Sequence, residues 1–151
     1  MSRPFVMGAA LAAVLLVGKP ALAQDAAPAA PVLALEGDAV TITILIKPDK
    51  TAEFESVLTK LKDSLAKSEK PVRKQQAAGW TVYKSTTPGP NGNAIYIMLI
   101  TPVLKGEEYD ISRLIAEVFP VEVKEYFEKY RDSYVGRGIT TMSKLMSMGQ
   151  Q

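Results

Sequence analysis

Residues 39–46 read AVTITILI, and this stretch decides the fold. Its apolar, β-branched residues fall at every second position, with threonines between them, so that an extended chain would carry one strongly apolar face. The residues of that face are Val40, Ile42, Ile44 and Ile46. Pro48 and Asp49 end the pattern. The stretch is therefore predicted to be the first strand of a sheet with one buried face.

The sequence on the C-terminal side predicts a helix and then a hairpin. Five apolar residues recur at helical spacing with charged residues between them: Phe54, Val57, Leu58, Leu61 and Leu65. Pro71 interrupts this helix, and residues 72–78 predict a short turn or helix that Gly79 ends. Residues 80–85 alternate as a second strand, and the turn PGPNG at 88–92 joins it to a third strand at 94–101. Because the third strand is apolar at positions 95–100, we expect both of its faces to be covered.

The last third of the chain predicts a second helical region and a fourth strand. Asp110 is placed to cap a helix that Pro120 breaks and restarts. An apolar and aromatic stripe continues along it through Val123, Tyr126, Phe127, Tyr130 and Tyr134. Gly136 and Gly138 are interpreted as its exit, and 139–146 as the last strand. The order β-α-β-β-α-β predicts an α+β fold of the ferredoxin-like kind, a four-stranded antiparallel sheet with two helices on one face.

The second face of this sheet is predicted to be an interface. If the alternation holds, eight residues share it: Thr41, Thr43, Leu45, Tyr83, Tyr96, Met98, Ile100 and Met142. Such a surface is larger and more apolar than a monomer usually leaves in contact with water. We therefore expect a homodimer that packs sheet against sheet.

The N-terminus predicts export. Arg3, an apolar run from 6 to 17 and the end Ala21-Leu22-Ala23 match a signal peptide over 1–23. The alternative, an uncleaved anchor, is disfavoured because Lys19 and Pro20 shorten the apolar run. We expect an Ala/Pro-rich tether at 24–37, a domain at 38–148, a periplasmic or secreted location and no membrane span after cleavage. Cleavage also leaves a formally neutral chain, which disfavours nucleic acid as a partner.

The composition excludes several chemistries. There is no cysteine and no histidine, so disulfides, thiol catalysis, Ser-His-Asp hydrolysis, zinc sites and histidine-ligated haem are all disfavoured. Met142, Met146 and Met148 suggest a soft-metal site only weakly, and packing explains them better. We expect neither a metal nor a cofactor.

In its strand-to-helix passage the chain resembles the dimeric α+β barrel superfamily, which includes antibiotic-biosynthesis monooxygenase-like proteins, and within it exported bacterial proteins of unassigned function. Residues 44–58, ILIKPDKTAEFESVL, carry the resemblance, and it extends through 79–83 and 94–101. It implies cofactor-free oxygenation of phenolic substrates, haem binding or degradation, or small-molecule binding and structural roles. Members that bind haem use histidine, which is absent here. The cofactor-free oxygenases place Trp, Asn and Tyr around the substrate, and here Asn91 and Asn93 lie in a predicted turn.

Five residues are candidates for a ligand site. Trp80 could stack on an aromatic ligand, although packing between helix and sheet is the commoner role of such a residue. Tyr83 and Tyr96 could donate to a ligand oxygen, and dimer contacts explain them equally well. Arg73 and Gln76, three residues apart, could together bind an anion, although solvation is commoner for such an arginine.

The sequence favours a non-catalytic module that binds a small apolar or aromatic molecule, or a protein partner, in a pocket between sheet and helices. Whether the chain is an enzyme stays open, with the missing histidine and cysteine weighing against it. One alternative is a cofactor-independent monooxygenase acting on an aromatic or quinol substrate through Trp80, Tyr83 and Tyr96. The other is a structural dimer of the envelope. Catalytic residues cannot be assigned from the sequence.

Overall fold

Four strands and four helices make up the fold, and the computed structural model describes them within residues 29–149. The strands are β1 (Ala39–Ile46), β2 (Trp80–Lys84), β3 (Ala94–Ile100) and β4 (Tyr134–Met142). The helices are α1 (Thr51–Lys67), α2 (Pro71–Gly79), α3 (Ile111–Val118) and α4 (Val123–Ser133). The signal peptide predicted at 1–23 lies outside the described residues.

The sheet is antiparallel and open, with the order β2-β3-β1-β4. This confirms the α+β class and the four-stranded antiparallel sheet. Two helical regions were expected, and each is divided into two helices, α1 and α2 in the first and α3 and α4 in the second. Pro71 begins α2, where its missing N–H costs nothing. Pro120 lies between α3 and α4, and Asp110 caps α3 as predicted, its carboxylate accepting from the Arg113 N–H at 3.0 Å.

The core lies between the helices and one face of the sheet, here called the helix-covered face. The four β-branched residues of β1 are buried there, as predicted. The pairing of β1 with β3 adds three residues that were expected on the other face: Tyr96 opposite Ile44, Met98 opposite Ile42, and Ile100 opposite Val40. That expectation was wrong because β3 is apolar at every position, and its sequence therefore has no period that identifies the buried face. The register of β3 with β1 determines which of its side chains face the helices.

On the other face of the sheet, here called the open face, none of the helices within residues 29–149 packs. Its thirteen positions, taken from the strand register, are Ala39, Thr41, Thr43, Leu45, Thr81, Tyr83, Ile95, Ile97, Leu99, Gly136, Gly138, Thr140 and Met142. None of them is charged. Three apolar residues of β3, Ile95, Ile97 and Leu99, occupy the centre of the open face and are half-buried. Threonines and glycines of the neighbouring strands surround them.

The fourth strand begins and ends earlier than predicted. Gly136 and Gly138, expected at a helix exit, pair inside β4 with Leu45 and Thr43. Met146 lies beyond the strand. In α4, Phe127 does not belong to the buried stripe, because it is 48% exposed. Tyr130 does belong to it and packs on Phe54 with ring centroids 5.8 Å apart.

The segment before β1 packs against the domain. Leu35, within the stretch assigned to the tether, is 3% exposed and belongs to the core. The Tyr109 N–H donates to the Leu33 carbonyl at 2.8 Å. Gly37 has a φ of +81° and lies so close to Met142 that a Cβ would be 2.8 Å from its carbonyl oxygen. Only glycine fits this turn into β1 without displacement.

Candidate functional site

An open groove of about 510 Å³ lies between α1 and the edge strand β2. We call it the α1–β2 groove. Its apolar lining is Leu58, Leu61, Leu65, Ala77, Trp80 and Val82, and its polar lining is Thr59, Lys62 and Thr81. This size falls in the range of small-molecule sites, which are usually apolar with a few polar groups. The groove lies on the helix-covered side of the sheet, where the sequence predicted a pocket.

The groove exists because α2 passes directly into β2 at Gly79. A Cβ at Gly79 would lie 3.0 Å from the Thr101 carbonyl oxygen, so the absence of a side chain lets the end of α2 approach β3 closely. Ala77 and Trp80 are thereby placed at the groove. Further along β2 the sheet edge is not covered, and Val82 remains 37% exposed although it lies on the helix-covered side.

Trp80 forms one wall of the groove and is the only tryptophan of the chain. Its ring packs on Tyr109 with centroids 5.7 Å apart. Its Nε1 is buried and has no hydrogen-bond partner among the residues that the structure describes. Trp80 is therefore held in place by apolar packing rather than by a hydrogen bond. The unpaired N–H lowers the stability of the folded protein by roughly 1–3 kcal/mol, because it loses its bond to water on burial.

The two candidate tyrosines do not join Trp80 in one site. Tyr83 lies on the open face and is 54% exposed. Tyr96 shares the helix-covered face with Trp80, but it lies opposite Lys84 at the other end of the β2–β3 pair. At about 3.3 Å per residue, the four residue steps from Trp80 to Lys84 correspond to roughly 13 Å along the strand. The aromatic triad considered for an oxygenase is therefore divided.

Tyr96 belongs to a small polar cluster. Its hydroxyl donates to Glu55 Oε1 at 2.7 Å, and its ring meets Phe54 edge to face at 4.8 Å. Lys84 Nζ binds the same carboxylate oxygen at 2.7 Å. Burial, and then the Glu55 carboxylate, raise the pKa of Tyr96 above its ordinary value of 10. A neutral phenol that is already bound to a carboxylate positions α1 on the sheet and is a poor nucleophile or base.

Arg73 and Gln76 do come together, as their spacing predicted, but inside an ion cluster. Arg73 Nη1 donates to Gln76 Oε1 at 2.8 Å, and Gln76 Nε2 donates to a backbone carbonyl at 2.9 Å. Arg73 is only 5% exposed. Its guanidinium pairs with Glu117 at 3.0 Å and Glu107 at 3.1 Å. The positive charge is thus compensated by two carboxylates.

Glu117 is the centre of this cluster. Besides Arg73, it accepts from Lys70 Nζ at 2.7 Å and from Ser68 Oγ at 2.6 Å. Burial alone would raise the pKa of its carboxyl, but the hydrogen bonds from Arg73, Lys70 and Ser68 outweigh burial and lower the pKa to about 2. The cluster joins the start of α2 to the end of α3.

A second, more polar cavity of about 480 Å³ adjoins this cluster. It is lined by Ala29, Pro31, Lys70, Arg73, Gly106, Glu107, Glu108, Arg113 and Glu117. Glu108 accepts from the backbone N–H groups of Val32 at 2.7 Å and Leu33 at 3.0 Å. Five of its six charged residues, all but Arg113, take part in hydrogen bonds or ion pairs that hold the protein together, so this cavity is a weaker candidate for a ligand than the α1–β2 groove.

Sequence reasoning missed several residues of these sites. Lys62 and Ala77 line the groove but carry no motif, and only the α1 pattern of Leu58, Leu61 and Leu65 indicated that side of α1. Glu117 and Glu108 were also missed, because their partners lie 44 and 76 residues away along the chain.

Comparison with protein-family models, with curated proteins and with solved structures gives no match to this chain. Within residues 29–149, no helix has the length and apolarity that a membrane crossing requires. In the same part of the chain, no group of three or more acidic side chains is arranged to hold a metal ion.

Proposed function

We propose that this protein is an exported, non-catalytic module that binds a small apolar or aromatic molecule in the α1–β2 groove. One observation carries the proposal: an apolar groove of about 510 Å³, with the only tryptophan in its wall, lies between α1 and the partly exposed edge strand β2. Burial of apolar ligand surface in such a groove is the driving force.

The chemistry of the lining supports binding rather than catalysis. Six of its nine residues are apolar, two are threonines and one is a lysine. The Thr59 hydroxyl donates to the backbone carbonyl of Glu55 at 3.0 Å, so it is already engaged. A general acid–base pair or an activated nucleophile needs two polar groups within hydrogen-bond reach of each other. The lining offers no such pair among the residues that the structure describes.

The alternative of a cofactor-independent monooxygenase has less support. It needs Trp80, Tyr83 and Tyr96 around one substrate, and Tyr83 lies on the opposite side of the sheet from Trp80. A structural dimer of the envelope is the other alternative, and it gains support if the groove proves to bind nothing.

We also propose a ferredoxin-like assignment and a relationship to the dimeric α+β barrel superfamily. The strand order β2-β3-β1-β4 and the placement of the four described helices away from the open face support it. The open face supports the proposed homodimer, because a surface without charge can meet a second copy of itself without like-charge repulsion. The periplasmic or secreted location rests on the sequence of residues 1–23.

Binding of N-phenylnaphthylamine, a neutral apolar fluorophore, tests the function. We expect its emission to rise with the protein and the fluorescence of Trp80 to fall through energy transfer. The variant Ala77→Phe fills the groove and should weaken binding at least tenfold, since one side chain displaces much of the ligand. Ala78→Phe is the matched control, because Ala78 is the next residue of α2, is also exposed and does not line the groove.

Two results would count against the groove. Equal binding of the probe by Ala77→Phe and Ala78→Phe would place the probe elsewhere on the protein. An absence of binding to the unmodified protein would favour the structural alternative. A ligand that binds only the folded state should also raise the melting temperature with its concentration.

A further inference from the structure

We infer that the ligand of the α1–β2 groove is an anionic amphiphile, an apolar molecule with one carboxylate or similar anionic group, and that Lys62 binds that group. The inference rests on the proposed binding function and names the class of molecule that the groove selects.

Among the residues that the structure describes, Lys62 is the only charged one in the groove lining. Two other lysines on the same two elements are neutralised, since Lys60 pairs with Glu122 and Lys84 pairs with Glu55. Lys67, the last residue of α1, does not line the groove. Among residues 29–149, no carboxylate lies within ion-pair distance of Lys62. The groove therefore presents an apolar surface beside one uncompensated positive charge.

The apolar and the charged residues that α1 contributes to the groove lie at different positions around the helix. Leu58, Leu61 and Leu65 occupy one stripe of the helix, and they are half-buried or buried. Lys62 is exposed at the border of that stripe, where its alkyl stem can cover apolar surface while its ammonium group stays at the water boundary. A ligand with its apolar body against the leucines and Trp80 would place a terminal anion at the same boundary.

The same charge disfavours other ligands. A cationic amphiphile would bring a like charge to Lys62, and a neutral one would leave the lysine without a partner. The preference should be moderate, because an ion pair at a partly exposed site is screened by water and salt. We expect roughly a two- to fivefold preference for an anion over a neutral molecule of equal chain length, which corresponds to the upper part of the range for exposed charge pairs.

Displacement of N-phenylnaphthylamine by decanoate, decanol and decyltrimethylammonium tests the inference. Decanoate should displace the probe at the lowest concentration and the ammonium compound at the highest. In Lys62→Gln the ratio of decanoate to decanol affinity should fall to about one. Lys74→Gln is the matched control, since Lys74 is exposed on α2 and does not line the groove; it should keep the ratio. Added salt should reduce the ratio in the unmodified protein.

The outcomes distinguish this inference from the proposal on which it rests. If the probe does not bind, or if Ala77→Phe does not weaken its binding, the binding function itself fails. If the probe binds in the groove but decanoate and decanol displace it equally, only the anionic class is overturned. The same holds if Lys62→Gln keeps the full preference.

Discussion

Glu117 is the single residue on which the ion cluster between α2 and α3 depends. It compensates Arg73, a guanidinium that is almost fully buried, and it also accepts from Lys70 and Ser68. Removing one partner of a buried ion pair leaves the other charge uncompensated, which costs more than the pair itself contributes. Glu107 also contacts Arg73 and should moderate the loss.

We predict that Glu117→Gln lowers the free energy of unfolding by about 2–3 kcal/mol at neutral pH. Urea unfolding measures this. Glu125→Gln is the control, because the Glu125–Lys129 pair is exposed on α4; it should cost much less than Glu117→Gln, since water and salt screen an exposed ion pair. Equal losses in the two variants would contradict the central role of Glu117.

The same carboxyl predicts a pH dependence. Its folded pKa of about 2 lies below the ordinary value of 4.5, so folding favours the ionised form. This stabilisation is complete above about pH 4.5 and is lost as the pH falls toward 2, with a total of about 3 kcal/mol. Urea unfolding at a series of pH values should show this slope in the unmodified protein and a much smaller one in Glu117→Gln. An identical slope in both proteins would assign the acid sensitivity to other carboxyl groups.

At the level of elements, the segment before β1 behaves as part of the domain. Leu35 enters the core, and Glu108 holds the backbone N–H groups of Val32 and Leu33. Burial raises the pKa of the Glu108 carboxyl, but the backbone hydrogen bonds that it accepts lower the pKa by more, so the pKa lies below its ordinary value. The Ala/Pro-rich composition of 24–37 predicted a tether and gave no sign of this contact, because two leucines in a short segment define no period.

We predict that Leu35→Ala costs about 2–4 kcal/mol of stability, the usual range for truncating a buried leucine. Val32→Ala is the control within the same segment, because Val32 is largely exposed; it should change the stability by less than about 0.5 kcal/mol. Urea unfolding measures both. A loss below about 1 kcal/mol in Leu35→Ala would show that the segment contributes little to the fold.

The strands illustrate what a sequence period can decide. The alternation in β1 assigned its buried face correctly, since threonines separate its apolar residues. Tyr96, Met98 and Ile100 of β3 were assigned to the wrong face, since an uninterrupted apolar run contains no alternation. Its register with β1, set by the whole antiparallel sheet, placed Tyr96 in the core.

For the whole molecule, the open face predicts association. Ile97 lies at its centre, between Thr43 of β1 and Tyr83 of β2. We predict that the protein is a dimer at about 100 μM, a concentration above the dissociation constants of ordinary specific interfaces. Ile97→Lys should make it monomeric, because two copies would bring unpaired charges into an apolar interface.

Analytical ultracentrifugation measures the mass in each case, and circular dichroism verifies that the variants stay folded. Val121→Lys is the control, because Val121 is almost fully exposed between α3 and α4, away from the sheet; it should remain a dimer. A monomeric unmodified protein at this concentration would overturn the proposed homodimer, and a folded, dimeric Ile97→Lys would move the interface elsewhere.

The sequence by itself determined the fold class, the bounds of β1, the proline interruptions of the helices and the cap at Asp110, because these depend on local periodicity and local backbone chemistry. It also indicated that Arg73 and Gln76 lie together. Only the tertiary structure decided which face Tyr96 occupies, which carboxylates surround Arg73 and where the groove opens. Those features depend on strand register and on contacts between residues far apart in the chain, and neither is encoded in any short stretch of sequence.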